Sequence, residues 1–389
     1  MRIAISGASG YIGQHLSSFL EGKGYDVIPL GRDLFKEDCF DELCRCVESC
    51  EVVINLAGAS INKRWTEAYK QELYDSRICV TRQLVHAINT RSVKLELFIS
   101  ASAVGYYPAF GEYDEYHDCR GMDFLARLCG AWEEEASACS SDVRLVITRF
   151  GVVLSEDGGA LKEMLRLQRF SRVSVVIGNG QQRFPWISLF DLCRSFGYII
   201  RNRQMRGVVN LVSPDLITQK QLAHTLARAD KIRRIIPLPE FFFRLKFGEG
   251  ASFVTKGQTV HPSKLQESGF TYIYPTIEKL MNITDHHTVP ELDVKRYMGR
   301  WYEIARYENH FERGMTDVTA TYTLLPDGKI RVENEGYKGG VHKKATGRAK
   351  QPDPKNNPGK LKVAFFLWFY ADYYILELDA DYQYAVIGD

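Results

Sequence analysis

The first residues able to do chemistry stand at the start of the chain. Arg2-Ile-Ala-Ile-Ser6 reads as a short apolar strand and runs straight into Gly7-Ala8-Ser9-Gly10-Tyr11-Ile12-Gly13, then into a helical stretch. Glycines at this spacing let the chain turn tightly, let backbone N–H groups approach a pyrophosphate, and let the helix pack close to the strand. The helix N-terminus adds the positive end of its dipole. The pattern predicts a dinucleotide held by Gly7, Ser9, Gly10, Tyr11, Ile12 and Gly13; the competing reading is a glycine-rich turn without a ligand. The second strand ends Ile28-Pro29-Leu30-Gly31-Arg32. An acidic residue here would hold the ribose hydroxyls of NAD, whereas a cation accommodates the 2′-phosphate of NADP. Arg32 points to NADP, and Asp33 beside it pulls the other way.

These residues need elements to position them. From Met1 to about Asn282 short apolar runs alternate with helical-period stretches, the signature of βαβ units and a parallel sheet. Strands are expected at Arg2–Ser6, Asp26–Leu30, Glu51–Leu56, Leu95–Ser100 and Arg144–Arg149, with helices over Gly10–Gly22, Glu67–Thr90 and Phe124–Ser137. Past 284–289 the text changes. Short alternating segments, Val318–Leu324 and Lys329–Asn334 among them, are separated by Pro326-Asp327-Gly328 and Asn356-Asn357-Pro358-Gly359. That is an antiparallel meander, hence a sandwich or barrel.

Composition excludes other classes. The 389 residues carry 50 Lys+Arg against 48 Asp+Glu, a net charge of +2 with no long charge block. Neither nucleic acid nor a membrane surface is expected as a partner. The N-terminus has no signal-peptide pattern, and the longest apolar run, Val363–Ala371, falls far short of the ~20 residues that span a bilayer. All 9 cysteines lie between Cys39 and Cys193, without a CxxC pair or metal-ligand spacing. Cys39, Cys46 and Cys50 would share one helical face as small buried thiols. A cytoplasmic protein without a metal is the expectation.

The Gly-rich loop, Asn55-Leu56-Ala57-Gly58 after the third strand, and Ser100-Ala-Ser102-Ala-Val-Gly-Tyr106-Tyr107 together resemble the extended short-chain dehydrogenase/reductases. Ile61-Asn-Lys63-Arg64-Trp65-Thr66, Ser76-Arg77, Asp123-Phe-Leu, Trp132-Glu133, Gly151-Val-Val-Leu-Ser155, Gly158-Gly159, Gly178-Asn-Gly-Gln181 and Trp186-Ile187 are similar to their atypical epimerase-like (YfcH-type) branch, and the likeness covers 1–283. It implies a Rossmann-like, doubly wound α/β sheet with a smaller substrate subdomain contributed by 151–283. It adds Asn55, Ala57 and Gly58 to the cofactor contacts, and Lys63, Arg64, Gln181 and Trp186 to the substrate contacts. In that superfamily a Ser bonds the substrate oxygen and a Tyr, its pKa lowered by a Lys four residues on, moves the proton. Ser102 holds the Ser position. The Tyr-x-x-x-Lys pair occurs nowhere: the nearest approximations are Tyr116 with Arg120 and Tyr302 with Arg306, and the expected place reads Phe124-Leu-Ala-Arg-Leu-Cys129. The implied donor set is therefore Ser102 with Tyr106 or Tyr107. The branch's Trp-Ile-His reads Trp186-Ile187-Ser188 here.

Residues 290–389, opening Gly299-Arg300-Trp301, resemble the bacterial (Blc-type) lipocalins, as do Val318-Thr-Ala-Thr-Tyr322, Asn334-Glu-Gly336-Tyr337 and Tyr373-Tyr-Ile375. The resemblance implies an all-β barrel with Gly299 close to its floor, Trp301 plugging it, and a fatty acid or lysophospholipid inside. About seven strands can be counted where the family has eight. The barrel is thus expected to be incomplete, either because the chain is truncated or because a partner or a second copy, as in a homo-oligomer, covers the open edge.

The combined expectation is an NADP(H)-dependent oxidoreductase or epimerase-like protein acting on a small molecule, fused to a lipid-binding barrel. The alternative is a non-catalytic NADP(H)-responsive module that carries an apolar ligand.

Overall fold

A computed structural model of the chain describes residues 1–91, 95–281, 288–306, 314–354, 357–366 and 369–388. Two compact units divide the chain, Met1–Ile283 and Thr284–Asp389. Most of the expected linker 284–289, the segment 307–313 and the turn residue Asn356 lie outside the described residues.

The first unit is built on six parallel strands: β1 (Arg2–Ser6), β2 (Asp26–Leu30), β3 (Val52–Asn55), β4 (Leu97–Ala103), β5 (Arg144–Phe150) and β6 (Gly207–Leu211). Their order is β6-β5-β4-β3-β1-β2. Between them run α1 (Tyr11–Glu21), α2 (Phe40–Glu48), α3 (Glu67–Thr90), α4 (Phe124–Ser137), α5 (Gly159–Ser171) and α6 (Leu189–Arg201), followed after β6 by α7 (Gln219–Ala229) and α8 (Glu240–Phe247). Strand alternation divides the core in two. Ile3, Ile5, Val52, Ile54, Leu97 and Ile99 pack on one face with Leu16 of α1 and Phe196 of α6. Ala4, Val53 and Phe98 pack on the other with Leu43 of α2 and Leu84 of α3. Helices on both faces explain why these strands read as unbroken apolar runs.

The sheet matters to function through its order. The chain steps from β1 out to β2, then returns across β1 to β3, so its direction reverses between β1 and β3. At such a reversal the loops leaving the carboxyl ends of the two strands diverge and open a crevice. The Gly7–Gly13 loop leaves β1 there and Leu56–Ala59 leaves β3. Ser6 and Asn55 are register partners at the rim. A second, smaller layer pairs Val173–Ile177 with Arg234–Leu238 in parallel, and Val152–Ser155 with Trp186–Ser188.

The second unit is a seven-stranded antiparallel meander, curled into a half-barrel: β7 (Gly299–Tyr302), β8 (Met315–Leu324), β9 (Ile330–Lys338), β10 (Val341–Lys350), β11 (Lys360–Phe366), β12 (Phe369–Leu378) and β13 (Ala385–Gly388). Gly339 and Gly340 turn β9 into β10, both at positive φ, the conformation a tight two-residue hairpin demands. Tyr297, Tyr322, Ile330, Val332, Leu361 and Ile375 form its core.

The expected helices over Glu67–Thr90 and Phe124–Ser137 are found with those limits, because Thr66 and Asp123 cap them by accepting from Tyr69 N and Ala126 N. One expectation is corrected. α2 ends at Glu48, so Cys39 and Cys50 fall outside it and do not share its face with Cys46. Cys50 is buried, Cys39 and Cys46 are half-buried, and all nine cysteines are free thiols.

Candidate functional site

The loop after β1 is shaped by what its glycines exclude. Gly7 sits at φ +75, and a Cβ there would lie 2.8 Å from the Leu56 carbonyl. At Gly13 a Cβ would stand 2.2 Å from the Gly7 oxygen, so only glycine lets α1 begin this close to the strand. Gly10 N donates to Gly7 O at 2.9 Å, and Gln14 Nε2 holds Ser9 O at 3.0 Å. The N-cap, Gly10, offers no side-chain cap, and the first turn of α1 carries no acidic residue. Its leading N–H groups therefore meet no competing side-chain acceptor, and the dipole favours an anion there. The Tyr11 ring packs over Gly158, where a Cβ would come within 2.3 Å of it. The Tyr11 hydroxyl is buried with no hydrogen-bonding partner among the described residues. Ile12 packs against the core beneath the loop.

Arg32 follows directly on β2, which pairs with β1 up to Ser6↔Leu30, and so stands beside the same loop. It is exposed and makes no ion pair among the described residues. Asp33 is engaged by Lys36 at 2.5 Å. The carboxylate that competes with Arg32 thus has a cation of its own, though both side chains of that pair are exposed.

Asn55 faces inward. It is wholly buried, and its side chain is occupied within the protein. Its Oδ1 accepts from Ser6 Oγ at 2.7 Å and from Ala57 N at 3.2 Å, while Nδ2 donates to Thr81 Oγ1 at 2.8 Å. Asn55 shapes the loop that carries half-buried Ala57 and exposed Gly58. Arg77 braces that loop from α3, donating to Ala59 O at 2.9 Å and Leu73 O at 3.1 Å, with its guanidinium 5.2 Å from the Trp132 ring. Burial lowers the Arg77 pKa.

The second cluster lies at the carboxyl end of β4. Ser102 is 3% exposed, and its hydroxyl donates to Glu133 Oε1 at 2.6 Å. Arg149, on the neighbouring strand β5, closes on the same carboxylate with Nε at 2.8 Å and an Nη at 2.7 Å. Above this pair the Arg149 guanidinium stands 3.5 Å from the Tyr106 ring centre and 4.7 Å from that of Tyr107. Burial works against the charge of Arg149, but Glu133 outweighs it and the pKa rises. Tyr107 is 2% exposed; its hydroxyl donates to Asp114 O at 2.9 Å and lies 3.1 Å from Asn210 Oδ1. Ser102 and Tyr107 therefore do not present free hydroxyls to a ligand, contrary to expectation. Tyr106 is half-buried, with its hydroxyl 3.4 Å from Asp118. Burial pushes both phenols above their usual pKa, although Arg149 pulls the other way. The Glu133–Arg149 pair was not anticipated. Its signal was there: an arginine ending an otherwise apolar buried strand must find a carboxylate.

The expected substrate contacts scatter. Trp186 is fully buried in a core cluster with Leu154, Leu161, Ile217 and Leu222. Ser188, where the branch has His, caps α6 by accepting from Asp191 N at 2.9 Å. Gln181 is exposed. Lys63 is exposed over the Tyr69 ring at 4.9 Å, and Arg64 donates to Leu245 O at 2.7 Å, tying its loop to α8. Among the described residues no group of three His, Cys, Asp or Glu is placed to hold a metal.

In the half-barrel, half-buried Trp301 donates from Nε1 to Tyr297 O at 3.0 Å, with its ring 5.0 Å from that of Tyr297. Tyr373 links the hydroxyls of Tyr297 at 2.9 Å and Tyr322 at 2.8 Å. Gly299 is exposed at φ +116 with nothing within 4 Å of a Cβ. The close approach expected there is absent; glycine is required by the backbone conformation.

Comparison with known proteins agrees with this architecture. The family described as NAD dependent epimerase/dehydratase matches residues 3–211, a domain of unknown function (DUF1731) matches 238–282, and a lipocalin-like domain matches 292–389. The epimerase family protein YfhF of Bacillus subtilis is 34% identical over 307 residues, covering 74% of this chain and all of that protein. The chloroplastic SDR39U1 homologue of Arabidopsis thaliana is 33% identical over 297 residues, covering 72% and 85%. The crystal structure of human epimerase family protein SDR39U1 (isoform 2) with NADPH is 32% identical with a TM-score of 0.67, covering 73% of this chain and 98% of that one. The sheet order, the glycine cradle at its reversal and these likenesses lead to one assignment: the chain belongs to the NAD dependent epimerase/dehydratase family and carries a lipocalin-like domain behind it.

Proposed function

We propose that residues 1–283 bind NADP(H) and act as an oxidoreductase or epimerase-like domain on a small molecule. Residues 290–389 in this reading carry a fatty acid or lysophospholipid. The observation that carries the reading is the cradle at Gly7–Gly13, where a Cβ at Gly13 would strike the Gly7 oxygen at 2.2 Å and the N-terminus of α1 has no side-chain cap. The residues fit a dinucleotide. The amides of Ser9–Ile12 would receive the pyrophosphate, Ala57 and Gly58 would line the other side of the crevice, and unpaired Arg32 would receive the 2′-phosphate. The human relative crystallised with NADPH supports that choice. A bound nicotinamide supplies the hydride donor or acceptor.

Tyr106 is the proton donor in this reading, since it is half-buried where Tyr107 is closed off. Its phenol, held above the usual pKa by burial, is protonated at neutral pH and so able to donate, but as a weaker acid than a free tyrosine. Arg149, fixed by Glu133, holds the ring of Tyr106 from beneath. Residues 151–283, Gln181 among them, would contribute the substrate side. Nine free thiols suit a reducing, cytoplasmic setting. The edge strands β7 and β13 of the half-barrel are where a second copy would pair.

A second reading has its own observation. With Ser102 held by Glu133 and Tyr-x-x-x-Lys missing, NADP(H) would be a regulatory ligand without turnover. Incubating the purified chain with NADPH and a panel of aldehydes and ketones separates the two. Oxidation of NADPH that falls at least tenfold in Tyr106→Phe supports catalysis; tight NADPH binding without reduction of any member assigns the second reading.

A further inference from the structure

The even charge balance of the whole chain hides a local concentration at α8. This helix reads Glu-Phe-Phe-Phe-Arg-Leu-Lys-Phe and is held to the protein by one side. Phe247 is buried, Phe247 O accepts from Trp65 N at 3.1 Å, and Leu245 O accepts from Arg64 at 2.7 Å. On the outward side Phe241 is 58% exposed, Phe242 45% and Leu245 68%. The two phenylalanine rings lie against each other with centres 4.0 Å apart and planes tilted by 31°. An amphipathic helix that turns its large apolar groups to water marks a docking face, because water-facing positions otherwise favour polar side chains.

The surrounding charge identifies what docks. Arg244 and Lys246 sit on the helix, and Lys63 and Arg64 on the loop tied to it. Glu240 lies 3.8 Å from Arg244, and Glu249, just past the helix, is taken by Lys70 at 2.5 Å. Lys63, Arg64 and Lys246 have no carboxylate partner among the described residues. Exposed aromatic and aliphatic groups ringed by unpaired cations are complementary to a surface that is apolar within and anionic outside. We propose that the exposed face of α8, with the Lys63–Arg64 loop, docks on an anionic lipid bilayer: Phe241, Phe242 and Leu245 enter the headgroup boundary while the cations meet lipid phosphates. The inference is independent of the proposed redox chemistry and rests on no property of the half-barrel.

The test is co-sedimentation of the full chain with vesicles of phosphatidylcholine alone or of phosphatidylcholine and phosphatidylglycerol in a 7:3 ratio, at about 0.1 M salt. The chain should sediment with the anionic vesicles, several-fold less with the neutral ones, and progressively less as salt rises. Phe241→Ser with Leu245→Ser should cut the bound fraction at least tenfold, and Lys63→Glu with Lys246→Glu should do the same. Both variants should keep the wild-type melting temperature, since none of these side chains is buried. Ile304→Ser, which removes a side chain 94% exposed on the other unit, should leave binding unchanged. Absence of wild-type binding to the anionic vesicles would overturn the proposal. So would binding that survives the Phe241/Leu245 substitution, or self-association in light scattering that the same substitution abolishes, which would make a second copy the occupant.

Discussion

Two regions at the carboxyl ends of β1 and β4, strands of one sheet separated by β3, are built on opposite plans. At the end of β1 the chain leaves hydrogen-bonding groups unused: the first turn of α1 has no side-chain cap, the Tyr11 hydroxyl has no partner, and Arg32 has no carboxylate. At the end of β4 the groups expected to do chemistry are engaged. Ser102 donates to Glu133, Glu133 is locked to Arg149, Arg149 lies against Tyr106, and Tyr107 is tied to Asp114 and Asn210. An open set of donors is what a ligand needs; a closed network is what a rigid scaffold needs. Under the proposed reading, the open region is the cofactor half of the site, and the closed network leaves Tyr106 at its margin as the candidate proton donor.

Breaking the closed network should produce the largest effect. Glu133→Ala would leave the buried Arg149 guanidinium uncompensated and the Ser102 hydroxyl unpaired, which should cost about 3–5 kcal/mol of stability. Chemical denaturation of the variant checks this; a loss within about 0.5 kcal/mol would mean that the pair is not buried in solution. Attacking the open region should spare the fold more than the ligand. Gly13→Val places a branched side chain against the Gly7 carbonyl and should weaken NADPH binding at least 100-fold, or about 2.7 kcal/mol, read by calorimetry. Arg32→Ala should act on the cofactor's identity alone. NADPH is expected to bind at least tenfold more tightly than NADH, about 1.4 kcal/mol, and the variant should erase that preference while keeping NADH affinity. Equal wild-type affinities would remove Arg32 from the site.

The smallest effect concerns pH and sharpens the comparison at the rim of the closed region. Glu115 accepts from Asn210 N at 2.9 Å and Lys264 N at 3.3 Å, and burial raises its pKa. A carboxyl raised in the folded state contributes stability that is complete below its unfolded pKa and is lost as pH rises through the folded one. Glu115→Gln should therefore flatten the stability profile over that window. A profile identical to wild type would show that Glu115 titrates normally.

Much of this was legible in the sequence because it rests on local chemistry. The strand–loop–helix at Arg2–Gly13 could be read residue by residue, since each glycine answers a backbone demand. The helical period of α3 and α4 was legible, and Thr66 and Asp123, both good N-cap residues, fix where they start. What escaped depended on contacts across the fold. Trp186 lies on a strand whose partner is more than thirty residues upstream, so its place in the core could not be seen from its neighbours. Ser102 stands where a related enzyme would use it, and only the 31-residue separation from Glu133, closed by α4 packing on β4, removes its hydroxyl from reach. Gly299 was read as a close approach because a motif suggested it, whereas its positive φ is a property of the turn. The cations around α8 come from two separate segments, and a count over the whole chain averages them away.

The central claim, that binding and proton handling have been separated between these two regions, is tested most directly by one calorimetric series. NADPH is titrated into the wild type, Gly13→Val and Ser102→Ala under the same buffer and salt. The account predicts that Ser102→Ala binds NADPH within twofold of wild type while Gly13→Val shows no measurable heat at concentrations that saturate the wild type. Tight binding by Gly13→Val, or a tenfold loss in Ser102→Ala, would contradict it.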